Sequence, residues 1–263
     1  MEFRKYILSV IVLVTAVNPQ SIAQTKKIAK ISYTSSPVSQ YLMREDRMRS
    51  TPTKASLHDF MNGITDYYSL YVNMNNRSSI YLLDSSVQVR PIGWENPKVT
   101  AALADSVLFT VKSSDNKTFK HEWIMNQTFY SEGQVGDVKW ELTNETKNID
   151  GLKCLKAFSK NYPMLTVWYT KDLPLSNGPG IYQGLPGLVV WAEDYFRTVQ
   201  LTKISYTDDE ETFDKLYGTK IKEFTTQKNK KTNYDKEPLV LVKKGDLALG
   251  YYEYFYKKPY KRP

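Results

Sequence analysis

Val138, Trp140 and Leu142 alternate strictly with Lys139, Glu141 and Thr143. Side chains that change sides at every second residue belong to an extended strand with one face in a core and the other in water. The same beat recurs along the chain. Tyr68, Leu70 and Val72 oppose Ser69 and Asn73, and Val107, Phe109 and Val111 share a face. Phe119, His121, Trp123 and Met125 alternate with Lys120, Glu122 and Asn126, while Leu165, Val167 and Tyr169 face away from Thr166, Trp168 and Thr170. Shorter apolar runs at 28–33, 80–83, 188–191, 199–206 and 239–242, with a tyrosine-rich run at 247–256, extend the pattern. Turn formers separate them: Asn75-Asn76, Asp115-Asn116, Glu132-Gly133, Asp150-Gly151, Asn177-Gly178 and Lys244-Gly245-Asp246. Many short, half-buried strands predict a mainly all-β protein, a curved antiparallel sheet of open-barrel or sandwich-like form.

Two segments break the beat. Thr53 is placed to cap a short helical insertion with Leu57, Phe60 and Met61 on its inner face. Phe213–Leu216, after the acidic run Asp208-Asp209-Glu210-Glu211, reads as one helical turn or a loop, and the polar stretch 225–237 reads as a long exposed loop. No internal repeat or domain boundary interrupts 24–263, which is expected to be one β-rich domain ending in a basic tail at about 257–263.

The N-terminus has a different character. Arg4 and Lys5 precede an apolar run over 7–17, Asn18-Pro19 ends it, and Ser21-Ile22-Ala23 offers the small residues that a signal peptidase reads. This layout predicts a signal peptide at 1–23 and a mature chain from Gln24. The run falls short of the ~20 residues of a membrane span, and no cysteine follows it for a lipid anchor. The expected location is therefore periplasmic or extracellular, associated with the envelope. Removing residues 1–23, which hold Glu2, Arg4 and Lys5, lowers the formal charge from +8 to +7. Most of that charge is carried by Lys228, Lys230, Lys231 and Lys236 and by Lys257, Lys258, Lys261 and Arg262, a solvated loop and tail. Nucleic acid is excluded as a partner by export and by the lack of a recognition motif. The single cysteine, Cys154, excludes an intramolecular disulfide and is expected to be a small buried hydrophobe.

Catalytic patterns are sparse. The two histidines are His58 and His121. His121 shares its strand face with Phe119 and Trp123, which marks it as a core residue, and His58 falls in the predicted helix. Neither a nucleophile elbow nor a zinc motif of two histidines is present, and Asp208–Glu211 lacks the glycine of a calcium loop. No catalytic residue, metal ligand or cofactor is assigned. Aromatic residues are plentiful (Trp 5, Tyr 20, Phe 10), and such rings on half-buried strands line grooves for apolar ligands. Trp140, Trp168, Tyr182 and Trp191 are the expected border of one such groove.

The most unusual segment is Asn177-Gly178-Pro179-Gly180-Ile181-Tyr182-Gln183-Gly184-Leu185-Pro186-Gly187-Leu188-Val189-Val190-Trp191. Glycine permits positive φ and close backbone approach, and proline stiffens the turn. The segment reads as a rigid corner feeding a central strand, or as the backbone-lined rim of a ligand groove. Within it, Gly184-Leu185-Pro186-Gly187-Leu188-Val189 resembles the signature of the GLPGLI family of bacterial secreted proteins, with Val189 in place of the final Ile. Trp140, Thr146-Lys147, Ile149, Gly151, Lys153-Cys154 and Lys156-Ala157 are similar to that family's upstream block. Val167-Trp168-Tyr169-Thr170, Leu173-Pro174 and Gly178-Pro179 continue it, and Ser69-Leu70-Tyr71 with Ser79-Ile80-Tyr81 resembles its early strand pair. The resemblance spans roughly 28–206 and implies a secreted envelope protein; it implies no chemistry, so no functional residue is carried over from it. The expected role is non-catalytic binding or envelope structure, with an apolar small molecule, a peptide or an outer-membrane protein as partner. An envelope hydrolase acting on peptide or glycan, and an accessory subunit of an outer-membrane complex, are the alternative readings.

Overall fold

The alternating segments pair into one open, curved twelve-stranded sheet in which every pairing is antiparallel. The computed structural model describes residues 27–36, 64–89, 98–101, 109–124, 127–161, 165–194 and 197–229. Its strands are β1 (Ile28–Ser36), β2 (Ile64–Asn73), β3 (Ser79–Val89), β4 (Lys98–Ala101), β5 (Phe109–Lys112), β6 (Lys117–Ile124), β7 (Gln127–Gln134), β8 (Trp140–Ile149), β9 (Leu152–Ser159), β10 (Thr166–Thr170), β11 (Leu188–Glu193) and β12 (Thr198–Thr207). They run in the order β7-β6-β5-β3-β2-β1-β12-β11-β10-β9-β8, with β4 beside β3. The predicted signal peptide, the helix around Thr53 with His58, the strands at 239–242 and 247–256, and the basic tail lie outside the described residues.

Three strands escape the periodicity, β4, β7 and β9. In β7 the pair Glu132-Gly133, read from sequence as a turn, lies inside the strand, with Gly133 opposite Thr118. A Cβ on Gly133 would stand 2.8 Å from an oxygen of Asp137, and that carboxylate accepts the Gln134 N–H at 2.6 Å. The glycine therefore seats a carboxylate and does not turn the chain.

The helix also differs from expectation. α1 (Glu210–Asn229) is 20 residues long and takes in Phe213–Leu216 together with the start of the predicted loop at 225–237. Phe213, Leu216, Tyr217, Ile221 and Phe224 recur at three- and four-residue spacing, and all pack on the sheet. The acidic run before it is the cap: Asp209 Oδ1 accepts the Thr212 N–H at 2.9 Å, and Glu210 meets the Lys27 ammonium at 2.6 Å.

Strand register defines two faces. Ala29, Ile31 and Tyr33 on β1 face the same side as Val72, Leu70 and Tyr68 on β2 and Ser79, Tyr81 and Leu83 on β3. That side, the inner face, is covered by the corner segment 171–187. The opposite, outer face carries Ile80, Leu82, Phe109 and Val111, and α1 closes over it there. The corner leaves the end of β10 and reaches β3 and β5. Asn177, 1% exposed, donates to Ser79 Oγ at 3.0 Å and accepts from Lys112 Nζ at 3.2 Å. β5 and β11 are five strand spacings apart, roughly 24 Å in a flat sheet, so this contact needs the sheet to curl around the corner.

Close approach explains the glycines. A Cβ on Gly187 would stand 2.0 Å from the Thr170 carbonyl oxygen, and one on Gly178 would stand 2.2 Å from the Tyr182 carbonyl oxygen. Gly184 has φ +88, and its Cβ would meet Val135 at 2.9 Å. The signature residues thus have a packing role: Leu185, Leu188 and Val189 are 1%, 0% and 0% exposed.

Under α1, His121 is 4% exposed, stacked on Tyr130 at 4.3 Å and edge-on to Phe109 at 5.3 Å. It is the core histidine expected from its strand face. Its Nδ1 lies 3.5 Å from Glu223, which holds Lys220 at 3.0 Å. Burial, with Lys220 nearby, pushes its pKa down to about 4. Cys154 is likewise buried, and burial pushes its thiol up to about 11.

Gly187→Ala drives a methyl group into fixed backbone and is expected to cost roughly 3 kcal/mol or more. Gly218→Ala, at a helix position with open space around it, is expected to add about 0.5–1 kcal/mol; urea unfolding of both variants checks the opposite signs. His121 is held neutral in the folded state, so its contribution is intact above its unfolded pKa of 6.5. As pH falls from there towards 4 the unfolded chain binds the proton first, and stability drops by about 1.4 kcal/mol per pH unit. Between pH 7 and pH 4.5, His121→Phe is expected to lose about 2 kcal/mol less than the parent chain, measured by denaturant titration at both pH values.

Candidate functional site

The outer face is bare of α1 where the sheet passes through β9, β10, β11 and β12. Register brings Lys156 opposite Trp168, Trp168 opposite Trp191, Trp191 opposite Gln200, Gln200 opposite Thr34 and Thr34 opposite Tyr67. The result is a lateral row across six neighbouring strands. Trp168 and Trp191 are half-buried, and Tyr67 is 40% exposed. The Lys156 ammonium lies 5.8 Å from the Trp168 ring and 4.7 Å from the Phe158 ring, and Lys147 lies 5.9 Å from Trp168. Cations over aromatic faces are drawn to the ring quadrupole and stiffen the platform. Glu145 fixes Lys156 at 2.9 Å.

A bulge builds this row. Between Trp168 and Tyr169 the register against β11 slips, so that Trp191 and Val189 pair with consecutive β10 residues and Val190 is the extra one. A second irregularity in β8 sets three residues, Thr143, Asn144 and Glu145, against Lys156 alone. It brings Glu145 to the lysine, and Thr143 Oγ1 donates to the Lys156 carbonyl at 3.0 Å. Bulges of this kind re-aim side chains locally.

The four rings expected to border one groove are divided into two pairs. Trp168 and Trp191 stand together on the outer row. Trp140 and Tyr182 pack with Val167, Tyr169, Val189 and Ala192 in a separate apolar cluster. There, Trp140 Nε1 donates to the Gln183 carbonyl at 2.7 Å. The Tyr182 hydroxyl donates to Asp194, which also accepts the Arg197 N–H at 2.8 Å.

Around Tyr182 the inner face is rich in tyrosine. Tyr68 and Tyr81 stack at 4.7 Å, and Tyr33 meets Tyr81 edge-on at 6.2 Å. Tyr33 donates to the Val189 carbonyl at 2.8 Å. Burial raises the pKa values of Tyr33 and Tyr81, so both hydroxyls stay protonated. Asp66 is raised as well, by burial, against the opposing pull of Ser86 and Arg197. This is a structural network that locks β1, β2, β3, β11 and the corner together. Periodicity located most of the strands but missed Lys147, Lys156, Gln200 and Tyr67, because their assembly depends on strand order and on two bulges, and Lys156 lies on the unread β9. No group of three or more potential metal-ligating side chains occurs among the described residues.

Residues 159–191 match a family described as "Protein of unknown function (Porph_ging)"; the matched stretch contains β10, the corner and both outer-row tryptophans. No protein of curated function matches the chain in sequence. Among solved structures, PNGF-II in a P21 crystal form is similar at 17% identity and a TM-score of 0.40, over 68% of this chain and 28% of that one. A C2 crystal form of PNGF-II gives 16% identity and a TM-score of 0.41 over 73% and 29%. An uncharacterized conserved protein from Thermus thermophilus gives 9% identity and a TM-score of 0.32 over 72% and 87%. The chain thus spans under a third of the PNGF-II chain.

Proposed function

We propose that this chain is an exported, non-catalytic binding protein of the cell envelope, akin to the GLPGLI proteins. Its contact surface is the outer row centred on Trp168 and Trp191. The observation that carries the reading is the pairing of two half-buried tryptophans in register on adjacent strands, beneath the ammonium groups of Lys147 and Lys156. Both indoles pack against the buried core yet stay partly in water, a combination that suits a contact surface. Lysines and the Gln200 amide around apolar rings suit an extended peptide segment of a partner protein, one bearing apolar and acidic side chains. Export is supported by the three-part layout of residues 1–23. No described helix is long and apolar enough to cross a membrane.

Native mass spectrometry of the protein purified from its own host tests this reading. A retained peptide or partner chain is expected, and the double variant Trp168→Ala/Trp191→Ala, shown folded by circular dichroism, should retain it at least about tenfold less well. A parent protein that carries nothing, or a double variant that carries as much as the parent, overturns the proposal.

A further inference from the structure

Lys112 is the least expected residue on the inner face. It sits at the end of β5, opposite Ser79 on β3 and Thr118 on β6, and is 3% exposed. Its ammonium donates to Asn177 Oδ1 at 3.2 Å, a neutral acceptor, and forms no ion pair with a carboxylate among the described residues. A second cation belongs to the adjoining turn. Arg77 lies in the turn that leads into β3, two residues before Ser79, with φ +64. That left-handed backbone costs a non-glycine residue of order 1 kcal/mol or more. The Arg77 guanidinium forms no ion pair with a described residue; burial, and after it the Arg77 charge, pushes the Lys112 pKa down to about 8. Lys120, diagonal to Lys112 across the β5–β6 pair, is 8% exposed on the same face.

A buried ammonium next to an exposed guanidinium, with neutral amide and hydroxyl neighbours, is an unfavourable arrangement unless something negative joins it. We infer that Arg77 and Lys112 form a receptor for a small oxyanion, a carboxylate or a phosphate, entering from the β2–β3 turn. Arg77 supplies a planar fork at the mouth that matches two oxygens, and Lys112 supplies a point charge at the floor. Ser79 adds a hydroxyl proton, because its oxygen already accepts from Asn177 Nδ2 at 3.0 Å. Asn177 belongs to the corner segment, so the anion would tie the corner to the opposite side of the sheet. This site is separate from the Trp168–Trp191 row and does not rest on it.

The test uses the full exported chain, with acetate and inorganic phosphate as probes, each titrated against sodium chloride at constant ionic strength. Two readouts are followed: the thermal midpoint, and the side-chain NMR titration of Lys112 Nζ. At least one probe is expected to raise the midpoint saturably and to move the Lys112 titration upward. A response to acetate alone assigns a carboxylate ligand, and a response to phosphate alone assigns a phosphate ligand. Arg77→Asn, whose side chain tolerates the turn's positive φ, and Lys112→Gln should each weaken the response about tenfold. If Lys112→Gln fails to fold, Arg77→Asn and the NMR titration of the parent chain decide. The inference is overturned if neither probe gives a saturable response, or if Arg77→Asn responds like the parent.

Discussion

The fold depends on one steric requirement: a loop backbone must lie directly against strand backbone. Gly187 touches the carbonyl of Thr170, and Gly178 touches that of Tyr182, at separations that leave no room for a Cβ. Because the chain can come that close, the segment 171–187 fills the inner face of a curled sheet instead of looping out. Asn177 then spans to β3 and β5, Tyr33 reaches the Val189 carbonyl, and Tyr182 reaches Asp194. Each of these bonds satisfies a polar group that burial would otherwise leave costly. The short match to a family of unknown function falls on this stretch.

The two faces are covered by different means, and the difference determines where function can reside. Loop backbone covers the inner face: its prolines stiffen it, and its glycines let it lie against neighbouring backbone. A helix covers part of the outer face, through apolar side chains over Phe109, Val111 and Tyr130. Between the helix and the β8 edge the outer row stays partly exposed. There the sheet presents aromatic rings, amide and ammonium groups in one row, a mixture suited to transient contact more than to a permanent core.

Much of this was legible in the chain itself. The alternation at 165–170 already separates Trp168 from Val167 and Tyr169, which pack with Trp140 and Tyr182. His121 was legible as a core residue from its apolar strand face, and Cys154 because a free cysteine behaves as a small buried hydrophobe. α1 was not legible as a full helix, because Lys220, Thr225 and Thr226 dilute its apolar stripe; the stripe becomes clear only against the surface it covers. β9 escaped for a related reason: its partner β8 bulges, so its exposure pattern departs from simple alternation. The Arg77–Lys112 neighbourhood could not be read from spacing, since it joins a turn, a strand end and a corner from distant parts of the chain.

An open sheet has two rims, and a rim offers unpaired main-chain groups to any neighbouring strand. At the β8 rim, the exposed charges Glu141 and Lys147 flank the irregular step at Thr143–Glu145, and Glu145 within it is exposed as well. A neighbour trying to zip on would lose register at that step and would have to strip water from those charges. The irregular step that brings Glu145 to Lys156 therefore has a second consequence: it makes this rim a poor template for a further strand.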